Sequence, residues 1–201
     1  MAYSDFTLDT VQETFHLEVD DAVSIFADVE PMPPSELLTA VLERHVPLAI
    51  AIGTEKARSE LIVSVVLAEL REQLERRISF FSGIDFNVER ASDLVGVCDF
   101  LVSLSPRQSS LKAPVIVLVE AKREDLIGGL GQCVAEMIAA QRFNAERGND
   151  IPCIYGATTS GVDWLFLKLE ARKLHIDLRA YQIERCDKIL GILASMVSQT
   201  A

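Results

Sequence analysis

The sequence predicts an α/β fold of the α+β type, with a mixed central sheet of about four to six strands flanked by helices. A helical extension precedes this core at the N-terminal end. Three observations carry the prediction. Apolar runs of strand length recur at 78–88, 94–104 and 115–122. Helical periodicity occupies 54–77 and 124–147, on either side of those runs. Polar turns carrying Gly, Pro, Asn or Asp separate the blocks.

Taken in order, residues 1–53 read as a helical extension packed on a domain that spans 54–201. Leu8, Val11, Phe15 and Val19 fall close to helical spacing, and Pro31, Pro33 and Pro34 then break the chain. Ser35 caps a short helix with Leu37, Leu38, Val41 and Leu42 on one side, and 47–52 reads as a connector ending at Gly53. Thr54 opens the longest helical pattern, which runs to about Arg77. On its wheel Glu60 lies at the margin of the apolar face, within roughly 60° of Val63, Leu67 and Leu74. That position suits either a site carboxylate or a boundary residue bonded to Arg or water.

The run 78–88 is β-branched and aromatic, with a bend or bulge expected at Gly83. The run 94–104 is apolar on both faces except for Asp99, and 105–114 is a loop. The run 115–122 has no polar residue until Glu120, followed two positions later by Lys122. In a strand these two share a face, so a carboxylate and an ammonium stand together at the end of a buried element. A hairpin symmetric about the loop puts Leu104 opposite Val115, and therefore Asp99 opposite Glu120. Opposed carboxylates repel unless a proton or a divalent cation lies between them. The plainer alternative is an ordinary Glu120–Lys122 ion pair, with Asp99 bonded to a backbone turn.

The second long helix, 124–147, places Gln132, Glu136, Ala139 and Phe143 on one face, and Gly148 ends it. Strands follow at 151–159 and 164–170, a further strand is expected within 174–183, and a closing amphipathic helix at 187–197.

Composition narrows the function classes. At 49% hydrophobic and 24% charged residues the chain is ordinary for a globular protein. It lacks the roughly 18 consecutive apolar residues of a membrane span. Met1 to Phe6 show neither the basic nor the apolar region of a signal peptide, which points to the cytoplasm. Cys98, Cys133, Cys153 and Cys186 form no C-x-x-C pair, and His16, His45 and His175 are isolated. Buried reduced thiols are expected rather than zinc or disulfides. The net charge of −11 gives no basic footprint for nucleic acid. Any such role must rest on a local patch, on carboxylates neutralised by metal, or on a partner subunit. Arg107, Lys112, Arg123 and Arg142 are the candidates for a local phosphate-binding rim.

An acid in an apolar strand (Asp99), then Glu120-x-Lys122 at the end of the next, is similar to the core motif of the PD-(D/E)XK nuclease superfamily. The order of elements resembles that restriction endonuclease-like fold across residues 54–170, and Gln132 resembles the family's motif glutamine. Tyr155-Gly-Ala-Thr-Thr-Ser-Gly, followed by Trp164-Leu-Phe-Leu, is similar to the strand pair after that helix in nuclease domains of type I restriction subunits. Two positions depart from the pattern. Cys98 stands where the family name has proline, and Glu136 stands where some exonuclease-like members carry tyrosine.

The resemblance implies a metal-dependent nuclease that hydrolyses phosphodiester bonds, in DNA first of all. Asp99, Glu120, the Ala121 carbonyl and Glu60 would hold Mg²⁺ or Mn²⁺, hard cations that prefer oxygen ligands. Lys122 would position or activate the attacking water, and Gln132 would orient water or phosphate. The implied partner is nucleic acid, approached alone, as a homodimer or with a partner subunit. A catalytically silent binding or regulatory subunit of the same fold is the competing expectation, and the acidic charge favours it.

Overall fold

The computed structural model describes residues 2–198. Its frame is one mixed sheet between two helical layers. Three strands supply the part that matters for the site: β2 (Ser79–Asp85), β3 (Val97–Ser103) and β4 (Val115–Ala121). They pair antiparallel in succession, and β4 then pairs parallel with β5 (Ile154–Thr159). The sheet continues through β6 (Asp163–Glu170) and β7 (Lys173–Ile176) to β1 (Glu18–Asp20), and the short β8 (Tyr181–Gln182) pairs with β6. Eight strands are thus joined in one sheet, more than the expected range. Two of the additional strands were hidden by length. β1 has three residues and β8 has two, too few to show alternation.

The strands face two cores. Phe100, Val117, Val119, Tyr155 and Phe166 pack toward α2 (Glu36–Ile52), α4 (Ser64–Gln73) and α6 (Cys186–Ser198). Leu101, Leu118, Leu165 and Leu167 pack toward α1 (Leu8–Phe15) and α5 (Leu130–Glu146). α5 lies against β4 and β5 through Cys133, Val134, Ala135, Met137 and Ala140, all fully buried. Parallel β4 and β5 are covered on both sides, which is why β4 reads as an unbroken apolar run.

The region 2–53 is more tightly joined to the core than its helical pattern suggests. β1 extends the sheet through β7, and Tyr3, Phe6 and Val11 are buried against the α5 side. The stretch 47–52, expected to be a connector, is the C-terminal end of α2, which runs on past Pro47 to an αL cap at Gly53. Apolar Leu48 to Ile52 continue the helix because its last buried contact, Ala49, lies beyond the proline.

The long pattern from Thr54 is helical but not uniform. α3 (Glu55–Arg58), capped by Thr54, leads into a π-helical turn, Ser59–Val63, and only then into α4. A π turn bonds i to i+5 and so rotates every later residue relative to an ideal wheel. The second long helix begins at Leu130 rather than 124, because 124–129 fold as turns in which Asp125 Oδ1 accepts the Gly128 N–H at 2.8 Å. Among the described residues, no helix is long and apolar enough to cross a membrane. All four cysteines are buried and free.

Candidate active site

The site forms where β3 begins and β4 ends. Phe100 pairs with Val119, Leu101 with Leu118 and Val102 with Val117. Continuing that register by one residue sets Asp99 against Glu120, as the hairpin argument predicts. The register at the loop differs. Val115 pairs with Ser103, not Leu104, and a bulge between Val102 and Ser103 absorbs the difference. On the other side of β3, Ser82 pairs with Phe100 and Ile84 with Cys98, which leaves Gly83 opposite Asp99. Gly83 has φ +60°, the expected bend, and open space where a Cβ would stand. An open cleft of about 240 Å³ beside Asp99 is bordered by Glu55, Ser59, Glu60, Ser82 and Gly83.

Side chains then link in a row. Asp99 Oδ2 accepts the Ala121 N–H at 2.9 Å. Lys122 Nζ donates to Glu120 Oε1 at 2.7 Å and to Gln132 Oε1 at 3.2 Å. Gln132 Nε2 donates in turn to Glu136 Oε1, one turn along α5, at 3.2 Å. Asp99, Glu120, Ala121, Lys122 and Gln132 are therefore brought together. The plainer reading is visible in the same geometry, since Glu120 and Lys122 do form an ion pair and Asp99 does bond backbone.

Electrostatics make that pair incomplete. Glu120 is 2% exposed, and its Oε2 is buried with no hydrogen-bond partner. Burial, then the charge of Asp99, pushes its pKa up to about 8, against the opposing pull of Lys122. Burial also raises Asp99, though the Ala121 N–H and Lys122 oppose it. Desolvation works against the Lys122 ammonium, but Glu120, Glu55 and Asp99 together outweigh it and its pKa rises. One ammonium balances one carboxylate. The second carboxylate is left to hold a proton or to find another cation.

That donor set suits magnesium better than zinc. Magnesium binds through one or two carboxylates and keeps several waters. Here two carboxylates stand at adjoining strand ends, and Glu120 Oε2 is buried without a hydrogen-bond partner. No group of three or more His, Cys, Asp or Glu side chains among the described residues is arranged to hold a metal by itself.

No protein-family model, curated protein or solved structure matches this chain.

Glu60 borders the cleft with Asp99, but its side chain is 62% exposed and pairs with Lys56 at 2.9 Å. The π turn carries it off the apolar margin that a regular wheel assigns it. Of the proposed rim, Arg107 and Lys112 lie in the loop at the opposite end of the hairpin, and Arg142 pairs with Glu89. Arg123 follows Lys122 directly in the chain and is exposed.

Three groups escaped the sequence. Glu55 is felt electrostatically by both Glu120 and Lys122, yet in sequence it looks like a first-turn helix acid. Thr158 pairs with Glu120 across β4 and β5, and its Oγ1 is buried without a partner. Gly129 makes room for the lysine. A Cβ there would stand 2.9 Å from Lys122 Cγ and 3.1 Å from its Cε. No periodicity reports such an approach, because it joins a loop to a strand end.

Proposed function

We propose that this protein hydrolyses phosphodiester bonds in nucleic acid, DNA first of all, with the help of Mg²⁺ or Mn²⁺. The observation that supports this is the convergence of Asp99 and Glu120 beside a lysine fixed between Glu120 and Gln132. The two carboxylates would hold the cation, with the Ala121 backbone beside them. When bound, such a cation polarises a phosphoryl oxygen and offsets charge that develops on the leaving oxygen.

The remaining work falls to the chain itself. Lys122 is a quarter exposed, and two of its three N–H bonds go to Glu120 and Gln132. The third serves a phosphate oxygen or the attacking water, and a donor held in place gains most as negative charge builds up. Gln132 Oε1 holds the ammonium at 3.2 Å while Glu120 Oε1 holds it at 2.7 Å. The cleft bordered by Ser59, Ser82 and Gly83 gives the scissile group access to Asp99.

The competing reading, a silent binding or regulatory subunit, is favoured by the net charge of −11 and by the already closed Glu120–Lys122 pair. Two measurements separate them. Cleavage of single- and double-stranded DNA and RNA with Mg²⁺ or Mn²⁺ is expected for wild type, with Lys122→Ala slower by about 10²- to 10⁴-fold. Equal rates in the two proteins remove Lys122 from the chemistry. Calorimetry with Mn²⁺ is expected to show binding that Asp99→Asn weakens; binding indifferent to Asp99, or none, leaves the silent subunit as the better reading.

A further inference from the structure

Packing alone does not account for Glu136. It lies in the middle of α5, wholly buried, among Cys133, Val134, Met137 and Ala140. Burying a carboxylic acid is costly, and a packed apolar residue of similar volume is often at least as stable. Burial, then the charge of Glu120, raises its pKa well above the usual carboxylate range. Its Oε2 has no hydrogen-bond partner of ordinary geometry, although the Cys98 thiol is close enough to interact. Its one hydrogen-bonded oxygen, Oε1, accepts from Gln132 Nε2 at 3.2 Å.

That bond settles a question the site cannot leave open. A side-chain amide has an acceptor on one side and a donor on the other. Gln132 presents its oxygen to Lys122 Nζ at 3.2 Å. Turned by half a rotation it would set N–H against ammonium, donor facing donor. At the distal side an acceptor in Glu136's place adds a second restraint, holding the amide nitrogen away from the lysine.

We propose that Glu136 is a positioning residue: by accepting from Gln132 Nε2 it orients the amide, and through the amide it fixes the Lys122 ammonium relative to Glu120 and Asp99. Its consequence for rate rests on the nuclease reading above; its consequence for the amide does not. Glutamine at position 136 retains an acceptor oxygen and restores the link. Methionine fills a similar volume and breaks it.

The test uses the full chain, ¹⁵N-labelled, as wild type, Glu136→Gln and Glu136→Met. The Gln132 side-chain amide is expected to give a distinct, exchange-protected NH₂ signal in wild type and Glu136→Gln, and an averaged, unprotected one in Glu136→Met. Cleavage by Glu136→Met is expected to fall in kcat by about ten- to a hundredfold, with KM little changed and Glu136→Gln close to wild type. A freely averaging Gln132 amide in wild type overturns the proposal without any variant. So does a protected amide in Glu136→Met, or an equal fall in kcat for both variants. Absence of cleavage by wild type overturns the nuclease reading alone, since the amide signals still decide the role of Glu136.

Discussion

The two ends of the β3–β4 hairpin are covered by the same helix and treated in opposite ways. At the loop end, Asn144 of α5 donates to the Val115 carbonyl at 2.7 Å and accepts its N–H at 2.8 Å. Ser103 Oγ donates to the Lys112 carbonyl at 2.6 Å beside it. The amide groups of a bulged strand end are satisfied there, as buried polar groups usually are. At the other end, two to three turns earlier on α5, Gln132 and Glu136 lead to the Lys122–Glu120 pair, and Glu120 Oε2, Glu136 Oε2 and Thr158 Oγ1 are buried without hydrogen-bond partners. One end is closed for stability. The other retains unmet hydrogen-bonding capacity around a lysine, in keeping with the cation proposed for it.

Three substitutions sharpen that contrast. Asn144→Leu is expected to be the most damaging to the fold, by about 3 kcal/mol, because it strands two buried backbone groups of Val115. Urea denaturation measures this, and Mn²⁺ affinity of the folded protein should be unchanged. A loss below about 1 kcal/mol would place Asn144 outside the stabilising end.

Glu120→Gln acts in the other direction. Burial and Asp99 raise the Glu120 pKa from 4.5 to about 8, so between those values a proton binds there more readily in the folded state than in the unfolded chain. Stability from this group is complete below the ordinary carboxylate range and is lost as pH rises toward 8. Glu136 shifts the same way and adds to the fall. Glu120→Gln should remove its share, leaving the protein more stable than wild type at pH 8 by on the order of 2 kcal/mol and similar near pH 5. Denaturation across that range checks it, and a parallel pH profile for both proteins would count against a protonated Glu120.

The smallest effect on stability is expected from Gly129→Ala, about 1 kcal/mol, since the residue ends a turn and the new methyl must displace the lysine stem and press lightly on the Thr158 methyl. Its effect on cleavage should be larger, about tenfold, because it moves the ammonium rather than the backbone. A fall in rate no greater than that for a surface substitution would show that the lysine's path past α5 is not critical.

Much of the hairpin was legible in the sequence. Apolar β4 with a single carboxylate, and apolar β3 with another, put Asp99 and Glu120 at one end once a hairpin symmetric about the loop is assumed. The assumed pairing of Leu104 with Val115 was one residue out, and the bulge corrected it before the acids were reached. Gln132 was found by resemblance, while its partner Glu136 was visible only as a neighbour on the same helix face. What stayed hidden depends on irregularity or on distance. The π turn displaces Glu60 and leaves Glu55 as the helix acid coupled to the site. The approach of Gly129 to Lys122 exists only once β4 and α5 are packed. A three-residue strand such as β1 carries no periodic signal.

β1 also bears on the order in which the molecule assembles. It pairs Glu18 with Lys173, Val19 with Leu174 and Asp20 with His175, so an early segment finds its partner only after most of the chain exists. Contacts so distant in sequence pay a large loop-closure entropy before they contribute. The β3–β4 hairpin closes across a short loop and can form while β1 is still solvated. Pulsed hydrogen exchange during refolding should therefore protect β3 and β4 amides before those of β7 that receive β1. The carboxylate end of the site would then exist, poised and incompletely covered, earlier than the far edge of the sheet that finishes the fold.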